Sequence, residues 1–214
     1  MKEWLLFPTV SAPMPYQLAL DEVLFRDIGV NRGNPVFRFY FSSEPWISVG
    51  YSQSAAANGT PVTRRITGGG RVWHGRDVMF SVIAKKEDDE SFSSVRMSYL
   101  KIHEAVKSAL ESLGAQPRFF RCDEKLPKGG DCFHFPIATD LAIRGEKVAG
   151  GGQKRSGAVL LHQESIQNIK GIAPAGLVKA VKEGIGKIFG VDLKPFEPSP
   201  EIFQEARALA EERY

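Results

Sequence analysis

The spacing of apolar positions changes along this chain between the helical period of 3.6 and the strand period of 2, and those changes divide it into elements. Between residues 16 and 28, Leu20, Val23, Leu24 and Ile28 recur at helical spacing, with Asp21 and Glu22 predicted on the other side. Val36-Phe37-Arg38-Phe39-Tyr40-Phe41 and Trp46-Ile47-Ser48-Val49-Gly50-Tyr51 read as strands joined by a turn at Ser43-Glu44-Pro45. Val72-Trp73-His74 and Val78-Met79-Phe80-Ser81-Val82-Ile83-Ala84 are the next predicted strands, broken at Gly75. Ile102, Ala105, Val106, Ala109, Leu110 and Leu113 mark a second amphipathic helix, stopped by Gly114. Asp140-Leu141-Ala142-Ile143-Arg144 and Lys147-Val148-Ala149 form a hairpin about Gly145-Glu146, with another strand at Ala158-Val159-Leu160-Leu161-His162. Helices over residues 175–189 and 200–213 close the chain. Strands clustered early with few helices predict an α+β fold, a mixed sheet flanked by helices, rather than alternating α/β.

Composition narrows the class. At 214 residues, 43% of them hydrophobic, the chain suits one domain with a proper core. A net charge of +3 from 28 basic and 25 acidic residues is too mild to point to nucleic acid. Two cysteines without repeated spacing make no disulfide framework, so a reducing, cytoplasmic setting is expected. The start, Met1-Lys2-Glu3-Trp4-Leu5-Leu6-Phe7-Pro8, has an acid early and a proline ending its apolar run, unlike a signal peptide. No run approaches the ~18 apolar residues of a membrane span.

Two glycine triplets carry the candidate chemistry. The first lies in Arg64-Arg65-Ile66-Thr67-Gly68-Gly69-Gly70-Arg71-Val72-Trp73-His74, the second in Lys147-Val148-Ala149-Gly150-Gly151-Gly152-Gln153-Lys154-Arg155. Without Cβ atoms, such runs let backbone press against a ligand, and neighbouring cations suit a carboxylate or phosphate. Both are expected at strand ends. Between them, a loop at Lys125-Leu126-Pro127-Lys128-Gly129-Gly130 that reads as mobile leads to Cys132, a nucleophile or else a small buried hydrophobe. His74 is either a site residue or a hydrogen-bonded core histidine; Arg64-Arg65 would hold a phosphate or stabilise the surface. Neither triplet is followed by Lys-Ser or Lys-Thr at the spacing of a nucleotide-triphosphatase loop. His134 with Cys132 and Cys122 lacks metal-ligand spacing and a fourth ligand, so no metal site is expected.

In order along the chain, these motifs resemble the lipoate–protein ligase and octanoyltransferase family, whose catalytic fold is shared with biotin–protein ligases. Leu18-Ala19-Leu20-Asp21-Glu22 is similar to the family's first-helix signature, and Ile47-Ser48-Val49-Gly50-Tyr51-Ser52-Gln53 to an early strand. Arg64 to His74 is similar to its Arg-Arg-x-x-Gly-Gly loop, Gly145-x-Lys147-Val148-Ala149-Gly150-x-x-Gln153 to its lysine loop, and Cys132-Phe133 with Pro136 to the cysteine loop of its transferase branch.

The resemblance implies catalysis by Lys147, which would contact the acyl carbonyl, and by Cys132, which would carry the acyl chain as a thioester. Arg65, Gly68, Gly69, Gly70, His74, Gly150, Gly151 and Gln153 are the implied substrate-binding residues. The implied activity is transfer of an octanoyl or lipoyl group to a lysine of a lipoyl-domain protein, such as glycine-cleavage H protein or a 2-oxoacid dehydrogenase E2. Acyl carrier protein is the candidate donor. Transfer needs no cofactor; ATP and Mg would enter only in the alternative, a ligase acting through lipoyl-AMP. A second alternative is a non-catalytic lipoyl-domain binding module. A single catalytic domain over 1–214, without a C-terminal accessory domain and monomeric, is expected. Three departures stand out: Gly75 in place of the usual Asp, Gly150-Gly151-Gly152 in place of Gly-Ser-Ala, and Glu164 in place of a usual Gly. Glu164 is expected to narrow or charge a wall of the site.

Overall fold

The computed structural model describes residues 2–31, 33–54, 59–120, 137–167 and 169–214. The first half runs β1 (Lys2–Ala12), α1 (Met14–Asn31), β2 (Val36–Ser42), β3 (Trp46–Val49), β4 (Val62–Arg64), β5 (Val72–His74), β6 (Val78–Lys85) and α2 (Val95–Ser112). The second runs β7 (Arg118–Phe119), β8 (Leu141–Ile143), β9 (Glu146–Ser156), β10 (Val159–Ile166), α3 (Pro174–Phe189), β11 (Val191–Pro195) and α4 (Pro200–Arg213). Eight strands form one sheet in the order β11-β1-β2-β6-β10-β9-β8-β7, and β4-β3-β5 form a small second sheet. The large sheet is mixed, because β1 runs parallel to β11 and β2 while β2, β6, β10 and β9 pair antiparallel. This is the α+β architecture expected. None of the described helices is long and apolar enough to cross a membrane.

Strand alternation sets the layers. Phe80, Val82 and Ala84 of β6 and Leu160 and Ile166 of β10 pack under α2 and α3 with Trp4, Phe37 and Phe39. Ile83 of β6 and Val159 and Leu161 of β10 point the other way, into the cluster under α1 and α4. Both faces of the central strands are therefore covered, and any polar side chain on them needs a partner.

Two expectations are corrected here. Strands β2 and β3, like β5 and β6, are adjacent in sequence but belong to different sheets. The breaks at Ser43-Glu44-Pro45 and Gly75 thus carry the chain from one sheet to the other, and the crevice between the sheets opens at those passages. Asp21 and Glu22 are also buried rather than outward-facing. The reason is charge pairing: Asp21 accepts from Arg38 Nη1 at 2.6 Å, and Glu22 accepts from Arg213 Nη1 at 2.6 Å and Tyr214 Oη at 2.5 Å, which pins the end of α4 to α1.

Candidate active site

Between the start of α1, the small sheet and the α1 side of β9–β10 lies a narrow cleft. Met14, Leu18, Tyr40, Val72 and Met79 supply its apolar wall. Ser48, Arg65, His74, Gln163, Glu164 and Ser165 are its polar lining residues, and Gly150, Gly151 and Gly152 give it a floor without side chains. An apolar pocket with a few convergent polar groups suits a ligand with a hydrocarbon body and one reactive polar end.

The second glycine triplet is not a loop at a strand end, as expected, but the middle of β9, paired along its length with β10. Each missing Cβ makes room for something different. At Gly150 a Cβ would land on Cε and Nζ of Lys147. A residue and the third one after it normally face opposite sides of a strand; a register shift between Leu141 and Ala142 breaks the alternation and lets Lys147 lie over Gly150. At Gly151 a Cβ would sit 2.5 Å from Glu164 Oε2, and at Gly152 it would sit 2.5 Å from the carbonyl oxygen of Gly68.

Lys147 itself is buried, its side chain 2% exposed, rather than an exposed hairpin residue. Its Nζ donates to Asp140 Oδ2 at 2.7 Å across the β8–β9 hairpin. Burial pushes the Asp140 carboxyl up, and Lys147 only partly offsets that. The carboxylate is held in place by the backbone N–H of Ile137 at 2.7 Å.

The first triplet sits behind Arg65 and does not line the cleft. Arg65 Nη2 donates to the carbonyls of Gly68 at 3.1 Å and Gly70 at 2.6 Å, and Nη1 donates to Ser48 Oγ at 2.9 Å. The guanidinium that was expected to meet substrate therefore also clamps the loop. Gly50 and Gly152 flank this loop, each leaving space for one of its carbonyls, and Gly69 has φ +100°. Arg64 donates to the carbonyls of Tyr51 and Gln53. Thr67 Oγ1 donates to Gln163 Oε1 at 2.7 Å, and Gln163 Nε2 donates to Asp21 Oδ2 at 2.7 Å, so the first-helix acid supports this loop from beneath.

His74 lies 2.7 Å from both Ser48 Oγ, through Nε2, and Asp77 Oδ2, through Nδ1. Asp77 also accepts from Ser165 Oγ at 2.7 Å. Burial alone would raise the Asp77 carboxyl, but His74 and Ser165 outweigh it and hold it below the ordinary range. Neither Ser48 nor Asp77 stood out in the sequence. The three-residue step from His74 to Asp77 is the one signal available, since it spans the turn at Gly75.

On the opposite face of β9–β10, Glu164 Oε2 lies 2.9 Å from His103 Nε2 and 2.8 Å from His162 Nε2. Gln153 points this way too: its Nε2 donates to Ser98 Oγ at 3.0 Å and to His162 Nδ1 at 3.1 Å. Gln153 thus meets the first glycine loop only through its backbone carbonyl, which accepts from Gly68 N at 3.3 Å. Proton positions follow from these partners. His162 accepts at Nδ1, so it is neutral and donates from Nε2. His103 faces the Thr139 carbonyl with Nδ1 and the carboxylate with Nε2, two acceptors, so it is the imidazolium. Burial works to raise the Glu164 carboxyl, but the two imidazoles outweigh it and hold it at about 2. Burial depresses His162, whereas Glu164 and the Thr139 carbonyl outweigh burial at His103 and raise it.

Among the described residues, His103, His162 and Glu164 also form the grouping with donor atoms near enough to hold a metal, within 4.8 Å of one another. The proton count accounts for Glu164 Oε2 and both imidazoles, while Glu164 Oε1 has no hydrogen-bond partner among the described residues. Glu164 is among the residues that line the cleft, as expected, but the charge on its Oε2 is met by the two imidazoles on the α2 side. Two departures from the family pattern meet here, because Glu164 pairs directly with Gly151 across the ladder. The Glu164 carboxylate fits here because Gly151 has no side chain to occupy its place. Cys132, Cys122, His134 and the loop over 125–130 lie outside the described residues.

The model of the lipoyl protein ligase A/B catalytic domain matches residues 13–167. An octanoyltransferase LipM of Lysinibacillus sphaericus (strain C3-41) is 28% identical over 267 aligned residues, covering 100% of this chain and 97% of the relative. Lipoate-protein ligase A bound with ATP has a similar structure, with a TM-score of 0.81 at 20% identity over 99% of this chain and 95% of that one. A bi-partite lipoate protein ligase, studied with its E2 lipoyl domain, from Thermoplasma acidophilum has a TM-score of 0.76 at 20% identity, covering 99% of this chain and 92% of that one. At such identities the two structures speak for the fold, and the sequence match for the family. The chain belongs to the lipoyl protein ligase A/B catalytic-domain family.

Proposed function

We propose that this protein is an octanoyltransferase that moves an octanoyl group from an acyl thioester to a lysine of a lipoyl-domain protein. The observation that carries this is Lys147: a buried cation laid over side-chain-free Gly150, which itself lines a cleft with an apolar wall. Met14, Leu18, Val72 and Met79 would pack against an eight-carbon chain, and its carbonyl end would meet the polar rim. The relative named an octanoyltransferase, matched over the full chain, supports the same activity.

In this reading the Cys132 thiolate attacks the donor thioester; the new C–S bond forms and the donor thiol leaves. The acceptor amine then attacks the Cys132 thioester, a C–N bond forms, and the amine proton goes to the departing thiolate. A lysine amine with an ordinary pKa of about 10.4 is mostly protonated near neutrality, so the site must favour its neutral form. Lys147 would hold the acyl carbonyl by N–H donation, and Asp140 keeps that ammonium in register. Neither step consumes ATP.

The test is the mass of a lipoyl domain after incubation with octanoyl–acyl carrier protein, in parallel with ATP, Mg and free octanoate. Labelling from the carrier protein alone is expected. Labelling only with ATP and free acid would replace this reading with a ligase.

A further inference from the structure

The wall of the cleft holds a second set of groups in nucleophile geometry, which transfer through Cys132 does not use. Ser48 on β3, His74 on β5 and Asp77 after Gly75 stand in line, with both heavy-atom distances at 2.7 Å. Polarity follows from the partners. Arg65 Nη1 can only donate to Ser48 Oγ, and the ionised Asp77 carboxylate accepts from His74 Nδ1–H. With the imidazole neutral, Nε2 is the acceptor, so the Ser48 hydroxyl donates its proton to His74. That is the direction a base-activated hydroxyl needs, and the Arg65 cation favours the alkoxide character that develops on attack. Ser48, Arg65 and His74 are all among the residues that line the cleft, beside the space assigned to the acyl group.

We propose that Ser48 is a second acyl-accepting nucleophile, giving the protein a slow hydrolase activity toward medium-chain acyl thioesters and activated esters. This rests on the reading of the cleft as an acyl site. Ser48 Oγ attacks the acyl carbon and its proton passes to His74 Nε2; the C–S or C–O bond to the leaving group breaks, and the leaving group takes that proton. Water then attacks the acyl-Ser48 ester with His74 as base, the C–Oγ bond breaks, and the proton returns to Ser48. The products are a free acid and the leaving thiol or alcohol, with no cofactor consumed.

The test uses the full chain carrying Cys132→Ala and p-nitrophenyl octanoate, which needs neither carrier protein nor acceptor. Nitrophenolate release and an octanoyl ester mapped to Ser48, stable to neutral hydroxylamine, are expected. Adding Ser48→Ala or, as a variant that spares the Arg65 contact, Asp77→Asn should lower release at least about 100-fold, the scale of lost base catalysis. Unchanged release in both overturns the proposal. A thioester on Cys132 in the wild-type chain, with no ester on Ser48 in Cys132→Ala, overturns it while leaving the transferase reading standing. Absence of an adduct on either residue overturns both.

Discussion

An ammonium group taken out of water needs a counter-charge, and for Lys147 that is Asp140 at 2.7 Å with both side chains nearly unexposed. One lysine thus braces the hairpin and, in the proposed mechanism, also meets the acyl carbonyl. Replacing Lys147 with Met leaves the Asp140 carboxylate buried and unpaired, which should destabilise the protein by about 3–5 kcal/mol. Adding Asp140→Leu should restore most of the lost Tm, while acyl transfer stays at least about 100-fold down. Transfer that recovers along with stability would show that Lys147 acts only through folding. The sequence motif singled out Lys147 but not its burial, because the bulge that turns it over Gly150 is a property of β8–β9 pairing.

Glu164 gives a pH signature at the same scale. Its folded pKa of about 2 lies below the ordinary 4.5, so its contribution is present above about pH 4.5 and is lost as pH falls toward 2. His103 is shifted up, so its contribution is complete below its ordinary value of 6.5 and is lost as pH rises through the raised value. The groups facing this pair are His162 and Gln153 from the sheet, Tyr99 from α2, Thr139 and Asp140 from the β8 side, and Arg155 beyond His162. Glu164→Gln should flatten the acid limb of stability and lower the His103 titration, followed by NMR of the imidazole protons. An unmoved His103 titration would contradict the proton assignment.

At the scale of elements, the two glycine triplets act differently from what their composition suggests. Three glycines in a row read as a ligand-facing segment at a strand end, yet Gly150-Gly151-Gly152 extend through β9 because Lys147, the Glu164–His162 pair and the Gly68 carbonyl occupy the places of their side chains. Strands β2, β3, β5, β6, β8 and β10 and the four helices were legible from the spacing of their apolar residues, whereas β1, interrupted by Pro8, and the short β4, β7 and β11 were not. The crevice was not, since it depends on neighbouring strands parting into two sheets. Nor was the depth of Asp21 and Glu22, because periodicity cannot distinguish a solvated acid from one that meets Arg38 or Arg213.

A graded glycine series follows. Gly68→Ala should be mild, since a Cβ there meets nothing within 4 Å. Gly152→Ala should cost about 1–3 kcal/mol and weaken octanoate binding, because its Cβ presses on the Gly68 carbonyl at 2.5 Å. Gly69→Val should do both for another reason: φ is +100° and a Cβ would stand 3.0 Å from Arg65 Nη2. Thermal melts and octanoate titrations on the same samples check the order; Gly68→Ala as damaging as Gly152→Ala would refute it.

Over the whole molecule, the large sheet separates two chemistries. Its α2 side carries the neutralised His103–Glu164–His162 group, while its α1 side, with the small sheet, carries the apolar cleft, Arg65 and the Ser48–His74–Asp77 line. Met14, Leu18, Tyr40 and Met79 under the cleft pack against Tyr214, whose hydroxyl donates to Glu22. The cleft wall is thereby tied to both α1 and the end of α4. The most direct test of octanoyl transfer through this site is a chase measured by intact mass. The protein is loaded with octanoyl–acyl carrier protein, freed of donor and mixed with a lipoyl domain. The account predicts a thioester on Cys132 that decays as the lipoyl-domain lysine gains the octanoyl mass, with both steps lost in Cys132→Ser. Full labelling of the lipoyl domain by Cys132→Ser would contradict it.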